Sequence, residues 1–199
     1  MLAARNVQKA LHTMASLSRL AAGLIALACL SNAAHAAVDK VVHRTGACEK
    51  DADGWCMAKS TEGGFAADLP MAFNDYTLTE DGAAVTRTDV IGGGSTDGIR
   101  FMVSRLAYKG GAATAKQYFD KFASGDTGMG KVVSARRGKL AGHDALDMAM
   151  DSAQGRSHVR MVLLDKDVIM MMSLMTPAQE AAHPGAIDQF LDSLRVTRP

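Results

Sequence analysis

The stretch that most limits how this chain can fold is VIMMMSLM, Val168–Met175. Its apolar residues fall at odd and even positions alike. At eight residues it is far short of the roughly 20 that a membrane-spanning helix needs. A short run that is apolar on both sides is the mark of a strand buried on both faces of a sheet. Covering layers are therefore expected on either side of it.

Two further strands lead into this run. Leu146–Ser152 and Ser157–Leu164 carry strand patterning, with tight turns at Gln154–Gly155 and Lys166–Asp167. Two-residue hairpin loops are the commonest kind. In that geometry Met150 lies opposite Val159 and Met148 opposite Met161. On the next strand Leu163 faces Met170, Met161 faces Met172 and Val159 faces Leu174. Side chains alternate along a strand, so these residues and Leu146 share one apolar face. Methionine fills irregular gaps in such a core. The competing use of the methionines, thioether coordination of Cu(I), requires sulfurs converging at an exposed spot, and the core reading is the expectation.

The opposite side of the same hairpins is polar. There the register sets Asp151 beside His158, and Arg160 between Ala149 and Ser173 with Asp147 one position along. Asp147, Asp151, His158 and Arg160 form a candidate polar patch. An Asp–His pair can orient a general base. A solvated face of cross-strand ion pairs, worth little energetically, accounts for the same residues more simply.

Upstream, GGFAADLP reads as a short strand stopped by Pro70, Ala84–Val90 as a strand, and Ile99–Tyr108 as another, with Gly92–Gly98 as a flexible hairpin loop between them. In AATAKQYFDKFASG, Ala115, Tyr118, Phe119 and Phe122 fall at helical spacing and Gly125 ends the helix. Lys131–Gly142 reads as a strand or hairpin arm. At the C terminus Ile187, Phe190, Leu191 and Leu194 lie on one helical face.

Residues 1–36 are expected to be a secretory signal peptide. Arg5, Lys9 and Arg19 give a basic start, Leu20–Leu30 is an apolar run of 11, and small residues at Ala34 and Ala36 set a cleavage point before Ala37. Cys29 lacks the residue order that lipid attachment normally requires. Removing the three basic residues from the chain's 22 leaves 19 against 21 acidic, a formal charge of −2 on the 163 remaining residues. No basic stripe points to nucleic acid, no polybasic tail to an anionic membrane, and no transmembrane segment remains. An exported, periplasmic or secreted location follows. Cys48 and Cys56, the pair left after cleavage, are expected to form a disulfide there, tying a polar N-terminal arm over residues 37–64 to a domain over 65–199.

Motifs for chemistry are missing. Glu49–Gly54 opens like a calcium loop, but its twelfth position is Ser60 rather than a bidentate Glu, so a polar turn closed by the disulfide is expected. Gly92–Gly94 lacks the Lys-Ser/Thr of a phosphate loop, and no G-x-S-x-G elbow occurs. His43, His143, His158 and His183 stand in no metal-ligand spacing. No catalytic residue, metal or cofactor is assigned.

From Phe65 onward, the succession of GGFAADLP, a strand pair, AATAKQYFDKFASG, KLAGHDALDMAM, a hairpin, a core strand and FLDSLRV resembles the PsbP-like family. That family spans the photosystem II extrinsic subunit P and DcrB-like exported bacterial proteins. The resemblance covers about two thirds of the chain. It implies an α+β fold, an antiparallel sheet flanked by helices as an α/β/α sandwich, and non-enzymatic docking or assembly roles. CEKDADGWC has no counterpart in that pattern. The expected function is a non-catalytic binding or assembly module with an envelope protein as partner. The competing expectation is a metal or small-ligand binder that uses the methionines or the Asp151/His158 face.

Overall fold

The computed structural model describes residues 38–197. The expected signal segment and its cleavage point at Ala36–Ala37 lie outside the described residues. Residues 38–126 and 130–197 belong to one compact unit. Among the described residues no helix is long and apolar enough to cross a membrane.

The described residues open with five strands: β1 (Val38–Ala47), β2 (Cys56–Lys59), β3 (Phe65–Leu69), β4 (Phe73–Glu80) and β5 (Val85–Gly94). Then come β6 (Arg100–Tyr108), helix α1 (Gly111–Ala123), β7 (Lys131–Leu140), β8 (His143–Ser152), β9 (Gly155–Leu163) and β10 (Asp167–Met175). Two short helices, α2 (Pro177–Ala182) and α3 (Ala186–Asp192), precede β11 (Arg195–Val196). Among the described residues, eight strands form one antiparallel sheet in the order β1-β4-β5-β6-β10-β9-β8-β7, and a smaller sheet runs β11-β3-β2. The architecture is α+β and mostly antiparallel strand, with few helices.

The central position of β10 explains its composition. Ile169, Met171 and Met175 join Ile91, Phe101, Val103 and Val162 in a core completed by Phe65, Ala67 and Leu69 of the small sheet and Phe190 and Leu191 of α3. Phe101 and Phe190 meet edge to face, 5.0 Å between ring centroids. On the opposite face, α1 lies against β6, β9 and β10, with Ala115, Phe119 and Phe122 buried. Both sides of β10 are thus covered. Met161, Met170 and Met171 are buried and Met172 is half-buried. One of the two covers is a small sheet with short helices, and not helices alone.

The hairpin register differs from the expected one by two residues on each side. Met170 pairs with Met161 and Met172 with Val159, while Met148 pairs with Val159 and Leu146 with Met161. The turns lie one position earlier, at Ala153–Gln154 and Asp165–Lys166. Gly155 belongs to β9, where a Cβ would lie 2.7 Å from the Met175 carbonyl oxygen. Asp167 belongs to β10, its carboxylate 2.6 Å from Arg105 Nη2. Moving each two-residue turn back by one shifts the pairing by two. Because that shift is even, every side chain keeps its face.

Three segments depart from expectation. Gly92–Gly94 is strand, not loop, and the turn falls after it. A Cβ on Gly93 would lie 2.4 Å from the Ala72 carbonyl oxygen, so glycine permits a close backbone crossing. Residues 38–64 are woven into both sheets. β1 pairs with β4 at the edge of the large sheet and β2 pairs with β3 in the small one. Cys48 and Cys56 are bonded, with their Cα atoms 5.2 Å apart, which joins the end of β1 to the start of β2. Finally, β4 occupies a stretch that shows no clear alternation of apolar residues, because its buried face carries Asp75 and Thr77.

Candidate functional site

β9 presents Arg156, His158 and Arg160 on one face, and α2 and α3 dock along that strip. Arg160 is the hub. Its Nε donates to Asp147 Oδ1 at 2.6 Å, and its Nη1 donates to Asp192 Oδ1 at 2.7 Å and to the Leu191 carbonyl at 2.9 Å. Arg136 on β7 adds a contact to Asp147 Oδ2 at 3.2 Å. Partial burial works against ionisation of Asp147, but the hydrogen bonds and charges of Arg160 and Arg136 outweigh it and hold the carboxyl below its ordinary range. A hollow of about 310 Å³ lies here, lined by the 136–140 stretch of β7 with Ala145, Asp147, Arg160 and Asp192.

The expected Asp151–His158 pair does not form. In the observed register Asp151 lies opposite Arg156 and His158 opposite Ala149. Asp151 is paired with Arg156 at 2.7 Å, which holds its carboxyl below the ordinary range. His158 Nε2 instead sits 3.0 Å from Glu180 Oε1 on α2. A second hollow of about 200 Å³ is lined by His158, Glu180, His183, Gly185, Ile187 and Asp188. Asp147 and Arg160 are therefore together, while Asp151 and His158 each belong to a separate pair. Among the described residues, no three His, Cys, Asp or Glu side chains converge as a metal centre requires.

A second polar cluster has no counterpart in the sequence reading. It lies on the small-sheet side of β4, β5 and β6, beneath the turn from β2 to β3. Asp75 is fully buried. Its Oδ2 accepts from Arg44 Nη2 at 2.9 Å, Thr61 N at 3.0 Å and Thr61 Oγ1 at 2.6 Å. Arg44 also donates to the Lys59 carbonyl. Alongside, Thr77 Oγ1 donates to Asp89 Oδ1 at 2.7 Å, and His43 Nε2 lies 3.0 Å from the same hydroxyl. Arg105 bridges Asp167 and the Gly63 carbonyl.

The His43–Thr77–Asp89 line contains the residue types of a nucleophile and its base, but in the wrong order. The hydroxyl's single proton is directed at the carboxylate, so His43 acts as a donor to Thr77 and not as its base. The cluster ties β1, β4 and the β2–β3 turn together. The residue that could have exposed it in the sequence is Asp75, whose alternation with Phe73 and Thr77 places a carboxylate on an inward strand position.

No family model matches the chain, and no curated protein does. The solution structure of cyanobacterial PsbP (CyanoP) from Synechocystis sp. PCC 6803 is similar over 84% of this chain and 96% of its own, at 10% identity and a TM-score of 0.41. The crystal structure of PA94 from Pseudomonas aeruginosa, a protein of unknown function described as a putative regulator, is similar over 73% of this chain and 98% of its own, at 19% identity and a TM-score of 0.42. Both are likenesses of fold alone.

Proposed function

We propose that the protein is an exported, periplasmic or secreted module that binds or assembles with an envelope protein and performs no chemistry of its own. The observation that carries this reading is the use made of Arg160. Its guanidinium, the natural anchor of the polar patch, is committed to Asp147, Asp192 and the Leu191 carbonyl. The patch thus docks α3 onto the sheet, and its guanidinium is held by the fold itself rather than offered to a substrate. In this reading the small sheet and the short C-terminal helices stand in for the second helical layer of an α/β/α sandwich. Crosslinking in intact cells, followed by identification of the captured protein, tests the proposal. A reproducible envelope partner is expected. Measurable turnover on any substrate class, with no such partner, defeats it.

The second reading, a small-ligand or metal binder, has its place at the hollow beside His158, which His183 and Asp188 also line without converging as a metal centre requires. Elemental analysis of the purified protein separates the two. Near-stoichiometric metal that is lost in His158→Ala would select the second reading.

A further inference from the structure

We propose that the open edge of β7 accepts an acidic, extended protein segment as an additional strand of the large sheet. This rests on the binding-module reading and assigns the surface and the partner's chemistry.

Among the described residues β7 ends the sheet and pairs only with β8. It is ten residues long and exposed along nearly its whole length. A strand in that position presents a row of outward N–H and C=O groups able to pair with another chain. Its sequence, KVVSARRGKL, carries Lys131, Arg136, Arg137 and Lys139 and no acidic residue.

Those charges select among occupants. A second copy of this chain, paired edge to edge, would bring two rows of Lys and Arg against each other, which is unfavourable. A segment bearing Glu or Asp meets the opposite condition, and complementary charge raises both specificity and encounter rate. The basic side chains now bond inward to Asp147, Asp120 and Asp144 at 3.2, 3.0 and 2.7 Å. All three bases are more than half exposed, so these pairs are screened by water and contribute little. Exchanging them for a partner's carboxylates is inexpensive.

Gly138 completes the surface. No Cβ fills the space above it, and an added Cβ there would meet nothing within 4 Å. The hollow of about 310 Å³ opens beside it, with Arg136 and Arg160 in its lining. A side chain projecting on the same face from a strand paired at Gly138 faces this hollow, where the exposed Arg136 is the guanidinium open to a Glu, since Arg160 is held by Asp147 and Asp192. The register shift between Val132 and Ser134 bends the strand at its start. The regular edge therefore runs from Ser134 to Leu140, suited to a segment of about six or seven residues.

The test uses the full protein and a fluorescent eight-residue peptide alternating Glu with Val or Thr, followed by anisotropy at low salt. A second peptide has the same sequence with alternate backbone nitrogens methylated, which keeps the charge and removes strand pairing. Both backbone methylation and the double reversal Arg136→Glu, Arg137→Glu are expected to weaken binding by about tenfold or more, with the melting transition of the double variant retained. Equal binding of the methylated peptide overturns the proposal in favour of plain charge attraction. So does indifference to the double reversal, or failure of the parent peptide to bind more tightly than a neutral one. Binding of phosphatidylglycerol vesicles but not of the peptide overturns it in favour of a membrane surface. An envelope partner whose capture is unaffected by the double reversal defeats this inference while leaving the binding-module reading intact. Recovery of no partner defeats that reading instead.

Discussion

Arg160 is mostly buried and divides its guanidinium between β8 and the end of α3. Removing it strands the Asp147 carboxylate and the Leu191 carbonyl in partly buried positions, so Arg160→Ala is expected to cost about 1–3 kcal/mol in urea denaturation. Arg160→Lys keeps the charge but not the planar fork and should fall between the two. Asp147 adds a pH signature. Its folded carboxyl is held below its ordinary range, so the unfolded chain takes up this proton more readily than the folded one. The stability it contributes is complete above the unfolded value near pH 4 and is lost as pH falls toward the folded one. Asp147→Asn should therefore flatten part of the fall in stability below about pH 4, measured by denaturation at a series of pH values. A third residue reports on packing. Met171 is fully buried between β10 and the small-sheet layer. Met171→Ala should lose about 2–4 kcal/mol and Met171→Leu less than about 1.5, with thermal melts of both variants as the check.

At the scale of elements, the disulfide is the joint between the two sheets, because Cys48 follows β1 and Cys56 begins β2. Replacing both by Ala should cost about 2 kcal/mol, since the closed loop is short. Intact mass after thiol alkylation, together with melting, would register both the oxidised pair and the loss; two labelled cysteines in untreated protein would contradict it. β6 and β8–β10 were legible because their apolar residues alternate or run unbroken, and α1 because Ala115, Phe119 and Phe122 recur at helical spacing. β4 was not, since Asp75 and Thr77 hold inward positions whose partners, Arg44, Thr61 and Asp89, are distant in sequence or on another strand. The two-residue register shift was equally hidden, because it depends on Met175 crowding Gly155 and on Arg105 drawing Asp167 into the strand. α2 is too short to show periodicity, yet Thr176-Pro-Ala-Gln179 is a capping box with both reciprocal bonds present. That signal was available. The Arg160 site was half legible: alternation put Asp147 on the same face, one position along, but neither the register that sets it directly opposite Arg160 nor the helix-borne Asp192 followed.

Across the whole molecule, the large sheet is built mostly from neighbours in sequence; two pairings depart from this, β1 with β4 across β2 and β3, and β6 with β10 across α1 and the hairpins. The small sheet is built differently. β11 closes it against β3, and Arg195 on β11 grips Asp68 on β3 across 127 positions of sequence, at 2.9 Å and 3.0 Å. The cysteine pair, by contrast, is separated by only 8. These separations set an order in time. A chain made from its N terminus can oxidise its cysteines and pair β2 with β3 early, but β11 and the α3 face that covers Phe101 arrive last. Until then the apolar side of β10 lacks part of its cover. The interval before the C terminus docks is the one in which this chain is most open to aggregation, because pairings distant in sequence are the slowest to form.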